Sequence, residues 1–131
     1  MTPMNKTYPA AELAGRILLA AMFLLAGLNK ISGYAGTVGY MASVGVPGAL
    51  LPAVIALELL GALAIIAGFQ TRVVALVLAG FTVAAAALFH ANFADPIQMI
   101  LFLKNVSIAG GFLLLAANGP GRFSLDARRN G

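Results

Sequence analysis

Four long apolar blocks, separated by short polar connections, divide this chain, and their lengths predict helices rather than strands. The first block runs from about 13 to 32, with Arg16 and Lys30 near its ends and an uncharged stretch from Ile17 to Asn29 between them. Long basic side chains at such positions are expected to snorkel to lipid headgroups. The second block covers about 50 to 69 and is interrupted only by Glu58. After Gln70, Thr71 and Arg72 comes the third, about 73 to 89, so these two helices must be antiparallel neighbours with Thr71 as the expected N-cap. The fourth covers about 96 to 117. Asp95, Pro96 and Gln98 give it a capped start with proline at the first helical position, and Asn118-Gly119-Pro120-Gly121 ends it.

Between the first two blocks, Gly33 to Gly48 is of intermediate polarity. Thr37 to Val44 predicts a short helix lying at the membrane interface, stopped by Gly45 and Pro47, and Tyr34 and Tyr40 suit that depth. The segments 1 to 12 and 119 to 131 read as polar tails too short to form a domain. Lys6 and Arg16 ahead of an apolar run would also suit a signal peptide. No Ala-x-Ala site follows, however, and Lys30 stands where one would fall, so the first block is expected to remain as a span.

Composition turns this pattern into a class. Of 131 residues, 61% are hydrophobic and 9% charged, against roughly 45–50% and 25% in soluble domains. A soluble globule is excluded, and four spans of about 20 residues account for most of the chain. The expected fold is all-α and integral to the membrane: a single-domain bundle of four transmembrane helices, 1 to 131, with a short interfacial helix between the first two. The absence of cysteine removes disulfides, thiolate metal sites and thiol redox chemistry carried by the chain itself. The net charge of +4 is scattered between apolar blocks, which argues against nucleic acid as a partner and leaves the lipid bilayer. Lys6, Arg16, Arg72, Arg122, Arg128 and Arg129 fall on the side of the termini and only Lys30 and Lys104 on the other, so both termini are expected in the cytoplasm.

Candidate chemistry follows from depth. Lys30 ends the first span on the outer side and His90 ends the third. Glu58 and Lys104 each lie about 12 Å into their spans from that same side at helical rise. Asn29, Asn92, Gln98 and Asn105 join this layer. Phe23, Gly27 and Lys30 share a helix face, as do Glu58, Gly61 and Ala62, and as do Lys104, Ser107 and Gly111. Small-residue faces pack helices together in membranes, so the charges are expected to point inward, with Lys104 as partner of Glu58. The residues expected to bind a ligand or handle protons are Lys30, Glu58, His90, Lys104 and Asn105, with Asn29, Tyr34, Tyr40, Gln98 and Ser107 secondary. Alternatively, a Glu58 to Lys104 pair merely fastens two helices, with Lys30 and His90 as interfacial anchors. A lone histidine without cysteine at ligand spacing makes no metal site, and there is no phosphate loop, nucleophile elbow or triad.

The runs Gly15-Arg16-Ile17-Leu18-Leu19 and Ala26-Gly27-Leu28-Asn29-Lys30 resemble the opening of the DoxX family of small four-helix membrane proteins. Tyr40 to Pro47, Glu58-Leu59-Leu60-Gly61, Gly68-Phe69-Gln70-Thr71-Arg72, Lys104-Asn105 and Gly119 to Asp126 extend the resemblance from about 12 to 126. Tyr40 to Ser43 and Lys104 to Gly110 are most similar to bacterial inner-membrane members of the YphA type. Lys30, Glu58, His90, Lys104 and Asn105 stand at the motif positions. The resemblance implies an oxidoreductase component, since the related DoxD type is linked with thiosulfate and quinone oxidoreduction and some members with oxidative-stress complexes. It implies redox partner proteins or a homo-oligomer, but carries no mechanism, as function must be argued from the site. A quinone-like cofactor entering from the bilayer would suit the polar layer, although no motif encodes one. In that reading Lys30, Lys104 and His90 donate to a quinone oxygen, with Glu58 as proton acceptor or counter-ion. The competing classes are a non-enzymatic carrier or small-solute transporter and a structural subunit of a membrane complex.

Overall fold

The computed structural model describes residues 7–130. In chain order these form α1 (Pro9–Ser32), α2 (Tyr34–Ser43), a 3₁₀ turn (Gly48–Leu50), α3 (Leu51–Ala67), α4 (Thr71–Phe89), α5 (Pro96–Asn118) and a short α6 (Leu125–Asn130). Four stretches are long and apolar enough to cross a bilayer: Pro9–Ser32, Gly48–Ala67, Thr71–Phe89 and Pro96–Asn118. The four expected spans and the expected short helix are therefore all present, with ends displaced by a few residues. Lys6, counted in the charge balance, lies outside the described residues.

The displaced ends have local causes. The second block was expected to continue to Phe69, but Gly68 adopts a left-handed conformation, φ 72° and ψ 40°, and stops α3 at Ala67. Thr71 does not cap α4. It is the first helical residue, preceded by Gln70 with φ 48°, and the cap comes from the far end of the chain. Asp126 Oδ1 accepts from the Gln70 N–H at 2.8 Å and Oδ2 from the Thr71 N–H at 2.8 Å. The segment from 119 onward is accordingly not a loose tail: Ser124 is buried, and the Asp126 N–H bonds the Gly68 carbonyl at 2.9 Å. Asp95 does cap α5, accepting from the Ile97 N–H at 3.0 Å, as its sequence context predicts.

Arg16 also departs from expectation. Instead of snorkelling, it is 1% exposed and donates to the carbonyls of Ile65 and Ile66, each at 3.3 Å, and to that of Phe123. It thus closes the C-terminus of α3, where unpaired carbonyls and the helix dipole both favour a cation. Arg72 does the same for α5, donating to Ala116 O at 3.3 Å and Ala117 O at 2.9 Å. Satisfying helix ends internally matters in a membrane protein, because lipid offers no hydrogen bonds.

Helix α1 packs along α3, and α4 along α5, while contact between these two pairs is sparser. The α1–α3 approach needs Gly27, where a Cβ would come within 2.6 Å of Leu59 Cδ2. The solid core comprises Ala20, Phe23, Ala62, Ile65, Ala75, Leu78, Ala79, Ala109, Phe112 and Ala116. In antiparallel helices most of these positions fall toward the end that carries the termini, while Phe23, past the middle of α1, meets Phe112 edge-on at 5.4 Å and closes the core on the other side. Toward the opposite end the two pairs part and leave a space between them.

Candidate functional site

That space is a cavity of about 370 Å³. Met22, Phe23 and Ala26 of α1, Leu51 and Val54 of α3, Phe81, Ala84, Ala85, Leu88 and Phe89 of α4, and Ile108 of α5 give it apolar walls. Helix α2 contributes Thr37, Tyr40 and Met41. Tyr40 stacks on Phe89 with ring centres 5.4 Å apart and donates its hydroxyl to the Phe89 carbonyl at 3.3 Å, tying α2 to the end of α4.

Into these apolar walls come a few polar side chains: Lys30, Glu58, Thr82, His90 and Asn105. Each is there for a helical reason. Lys30 lies one face along from Phe23 and Gly27, both buried, and Glu58 shares the buried face of Gly61 and Ala62. Lys30 and Glu58 therefore meet beside the tight approach of α1 to α3 at Gly27. Lys30 Nζ lies 2.9 Å from Glu58 Oε1 and donates to Oε2 at 3.2 Å. The approach to Oε1 is an ion-pair contact without hydrogen-bond alignment, and Oε1 accepts no hydrogen bond from the described residues. The two ends differ in exposure: the Lys30 side chain is 28% accessible and that of Glu58 only 5%.

The partner of Glu58 is thus Lys30, and the expected pairing with Lys104 is not formed. The packing face of α5 is the row Asn105, Ala109, Phe112 and Ala116, at i, i+4, i+7 and i+11. Lys104 precedes Asn105 by one residue, a rotation of about 100°, and lies exposed on the outer side of the bundle with Ser107. Ser107 and Gly111 had marked a small-residue face, but the buried stripe is the neighbouring one.

Asn105 enters the cavity wall and donates from Nδ2 to the Thr82 carbonyl at 3.4 Å. Thr82 donates to the Leu78 carbonyl at 2.7 Å. His90, the residue that closes α4, lines the cavity, and its Nδ1 lies 3.0 Å from Gln98 Oε1. Gln98 thus serves His90 rather than a capping box. Of the remaining sequence candidates, Tyr40 lines the cavity, Asn29 sits in a shallow exposed hollow beside Lys30, and Tyr34 is exposed outside both. Thr82 and Thr37 escaped the sequence reading. Their only signal is a hydroxyl in otherwise apolar or glycine-rich surroundings. Among the described residues no cluster of His, Asp or Glu could hold a metal ion.

A four-span helical bundle with an ion pair and a carboxamide lining a cavity in one half defines a small integral membrane protein, and the chain belongs to the DoxX family, matching it over residues 11–91. The chain is 52% identical over 127 residues to the inner membrane protein YqjF of Escherichia coli (strain K12), covering 97% of this chain and 98% of that one. It is 43% identical over 127 residues to the inner membrane protein YphA of the same organism, covering 92% and 91%. No solved structure matches the chain. With these relatives and four apolar helices, it is a multi-pass inner-membrane protein.

Proposed function

We propose that this protein is the ligand-binding membrane component of a redox system, and that its cavity takes the head of a quinone-type amphiphile arriving from the bilayer. The observation that carries the reading is a charge pair, one member almost wholly buried, opening onto an apolar cavity of about 370 Å³. Ionisable groups inside a membrane bundle are costly and mark functional sites, and ligand sites combine apolar walls with a few polar groups that fix orientation. The residues fit such a head: aromatic and aliphatic walls, with Lys30 and Asn105 offering N–H donors to its oxygens and Glu58 and His90 offering acceptors to its hydroxyl protons. When bound, a quinone-type molecule supplies the two-electron chemistry; the chain's own residues bind the head, orient it and offer Glu58 for a proton. Electrons pass to or from a partner protein in this reading.

The basic-residue balance supports an orientation with both termini in the cytoplasm and the cavity in the outer half of the bilayer. A C-terminal reporter active only outside the cytoplasm should stay silent.

A second reading, favoured by the close α1–α3 approach at Gly27, makes the Lys30–Glu58 pair a helix fastener and the protein a structural subunit. Filling the cavity without touching the pair separates the two. Ala85→Phe projects a ring from the α4 wall. Extraction of the purified protein followed by mass spectrometry should find an amphiphile with a polar ring head in the wild type and several-fold less of it in Ala85→Phe. Equal amounts in both, or bulk lipid alone in both, would favour the fastener.

A further inference from the structure

The hydrogen-bonding character of the cavity is one-sided. All three hydroxyls that line it have their protons engaged by backbone carbonyls: Thr37 with Gly33 O at 3.0 Å, Tyr40 with Phe89 O at 3.3 Å and Thr82 with Leu78 O at 2.7 Å. Each keeps only lone pairs for a guest. Gln98 Oε1 can only accept, so the His90 Nδ1 beside it carries the proton, and in the neutral ring Nε2 is left as an acceptor. Asn105 uses an N–H on Thr82 O and keeps its carbonyl oxygen. Glu58, 4% exposed, contributes a carboxylate whose single cationic partner among the described residues is Lys30, 2.9 Å from Oε1 and 3.2 Å from Oε2. The donors still free are N–H groups of Lys30, held against Glu58, and the second N–H of Asn105. Acceptors therefore dominate, and the most deeply buried of them is the Glu58 carboxylate, whose oxygens keep lone pairs beyond those that face the Lys30 ammonium.

We infer that the cavity selects a head that donates hydrogen bonds, a phenol or hydroquinone, over the carbonyl head of a quinone or an ether of the same shape. The inference rests on the reading of the cavity as a ligand site. A hydroxyl placed near Glu58 would give the carboxylate a further charge-assisted bond, the strongest kind open to a neutral guest. A carbonyl or ether oxygen in the same place would confront the carboxylate's lone pairs with lone pairs, a costly repulsion in a low-dielectric site. In redox terms, the protein would hold the reduced form of its amphiphile more tightly than the oxidised form.

The test needs no redox chemistry. 4-Nonylphenol and its methyl ether, 4-nonylanisole, share a ring and tail and differ in one donor proton. Their binding to the full chain, purified in detergent, is measured by calorimetry and by the shift in thermal unfolding. The phenol should bind about tenfold more tightly than the ether, and Glu58→Leu combined with Lys30→Met should bring the two affinities together. Equal or tighter binding of the ether to the wild type overturns the donor preference while leaving the cavity a ligand site. Binding of neither compound overturns the ligand-site reading and this inference with it.

Discussion

At Lys30 and Glu58 the consequences of burial are unequal. The carboxylate is almost enclosed and the ammonium about a quarter exposed, so removing the lysine strands a charge that cannot reach water. Loss of one partner of a fully buried pair costs about 3–5 kcal/mol. Because Lys30 retains some access to solvent, Lys30→Met should cost roughly 2–3 kcal/mol on the same basis. Lys104→Met should be neutral or slightly stabilising, since Lys104 touches none of the groups in the cavity and faces outward. Thermal unfolding of both variants in detergent decides it; a larger loss from Lys104→Met would mean that Lys104, not Lys30, is the partner of Glu58. The face of Glu58 was legible because Gly61 and Ala62 stand beside it at helical spacing. Its partner was not. Depth alone favoured Lys104, and a turn of about 100° around α5, too fine for a pattern of small residues to resolve, separates Lys104 from the inward position that Asn105 holds.

At the scale of elements, the helix ends carry the specificity that apolar sequences lack. Runs of Leu, Ala, Ile and Val can slide past one another, but Arg16 on α3, Arg72 on α5 and Asp126 on α4 fix where each helix stops or starts. Gly68 belongs to the same knot, since a Cβ there would overlap both Ser124 and Arg16. Burial would raise the Asp126 pKa, but hydrogen bonds from Thr71 and Gln70 and the nearby Arg129 charge outweigh it and hold the carboxyl below its ordinary value of 3.8. A depressed pKa means that its contribution is complete above the unfolded value and disappears as pH falls through the lower, folded one. Asp126→Ala should therefore lower stability by about 1 kcal/mol at neutral pH, as loss of an N-cap does. The gap between wild type and variant should begin to narrow as pH falls below about 4. Thermal unfolding at pH 7 and pH 3 measures both; a gap undiminished at pH 3 would mean that the charge is not what caps α4. The sequence placed every span because length and hydropathy are local properties. It missed this knot because its parts come from segments 44 to 107 residues apart, Arg72 with Ala116 at the near limit and Arg16 with Phe123 at the far one.

At the scale of the molecule, a solid core at the end bearing the termini and a cavity at the other divide the bundle into a rigid base and a receptive half. The base holds helix ends together through buried polar bonds; the receptive half lets two helix pairs diverge, with α2 laid across the gap through Tyr40 and Phe89. Membership of the DoxX family accounts for the four spans. The central claim is that the Lys30–Glu58 pair serves a guest in that cavity rather than the adhesion of α1 to α3. Replacing both residues together, Lys30→Met with Glu58→Leu, removes the two charges without stranding either and should keep the fold, because exchange of a buried pair for apolar residues is often neutral or stabilising. The decisive measurement is the amount of co-purifying amphiphile in this double variant, taken beside its thermal stability. Stability close to wild type with the amphiphile lost is the predicted result. A double variant that still carries the amphiphile at the wild-type level would contradict the claim and leave the pair as a fastener.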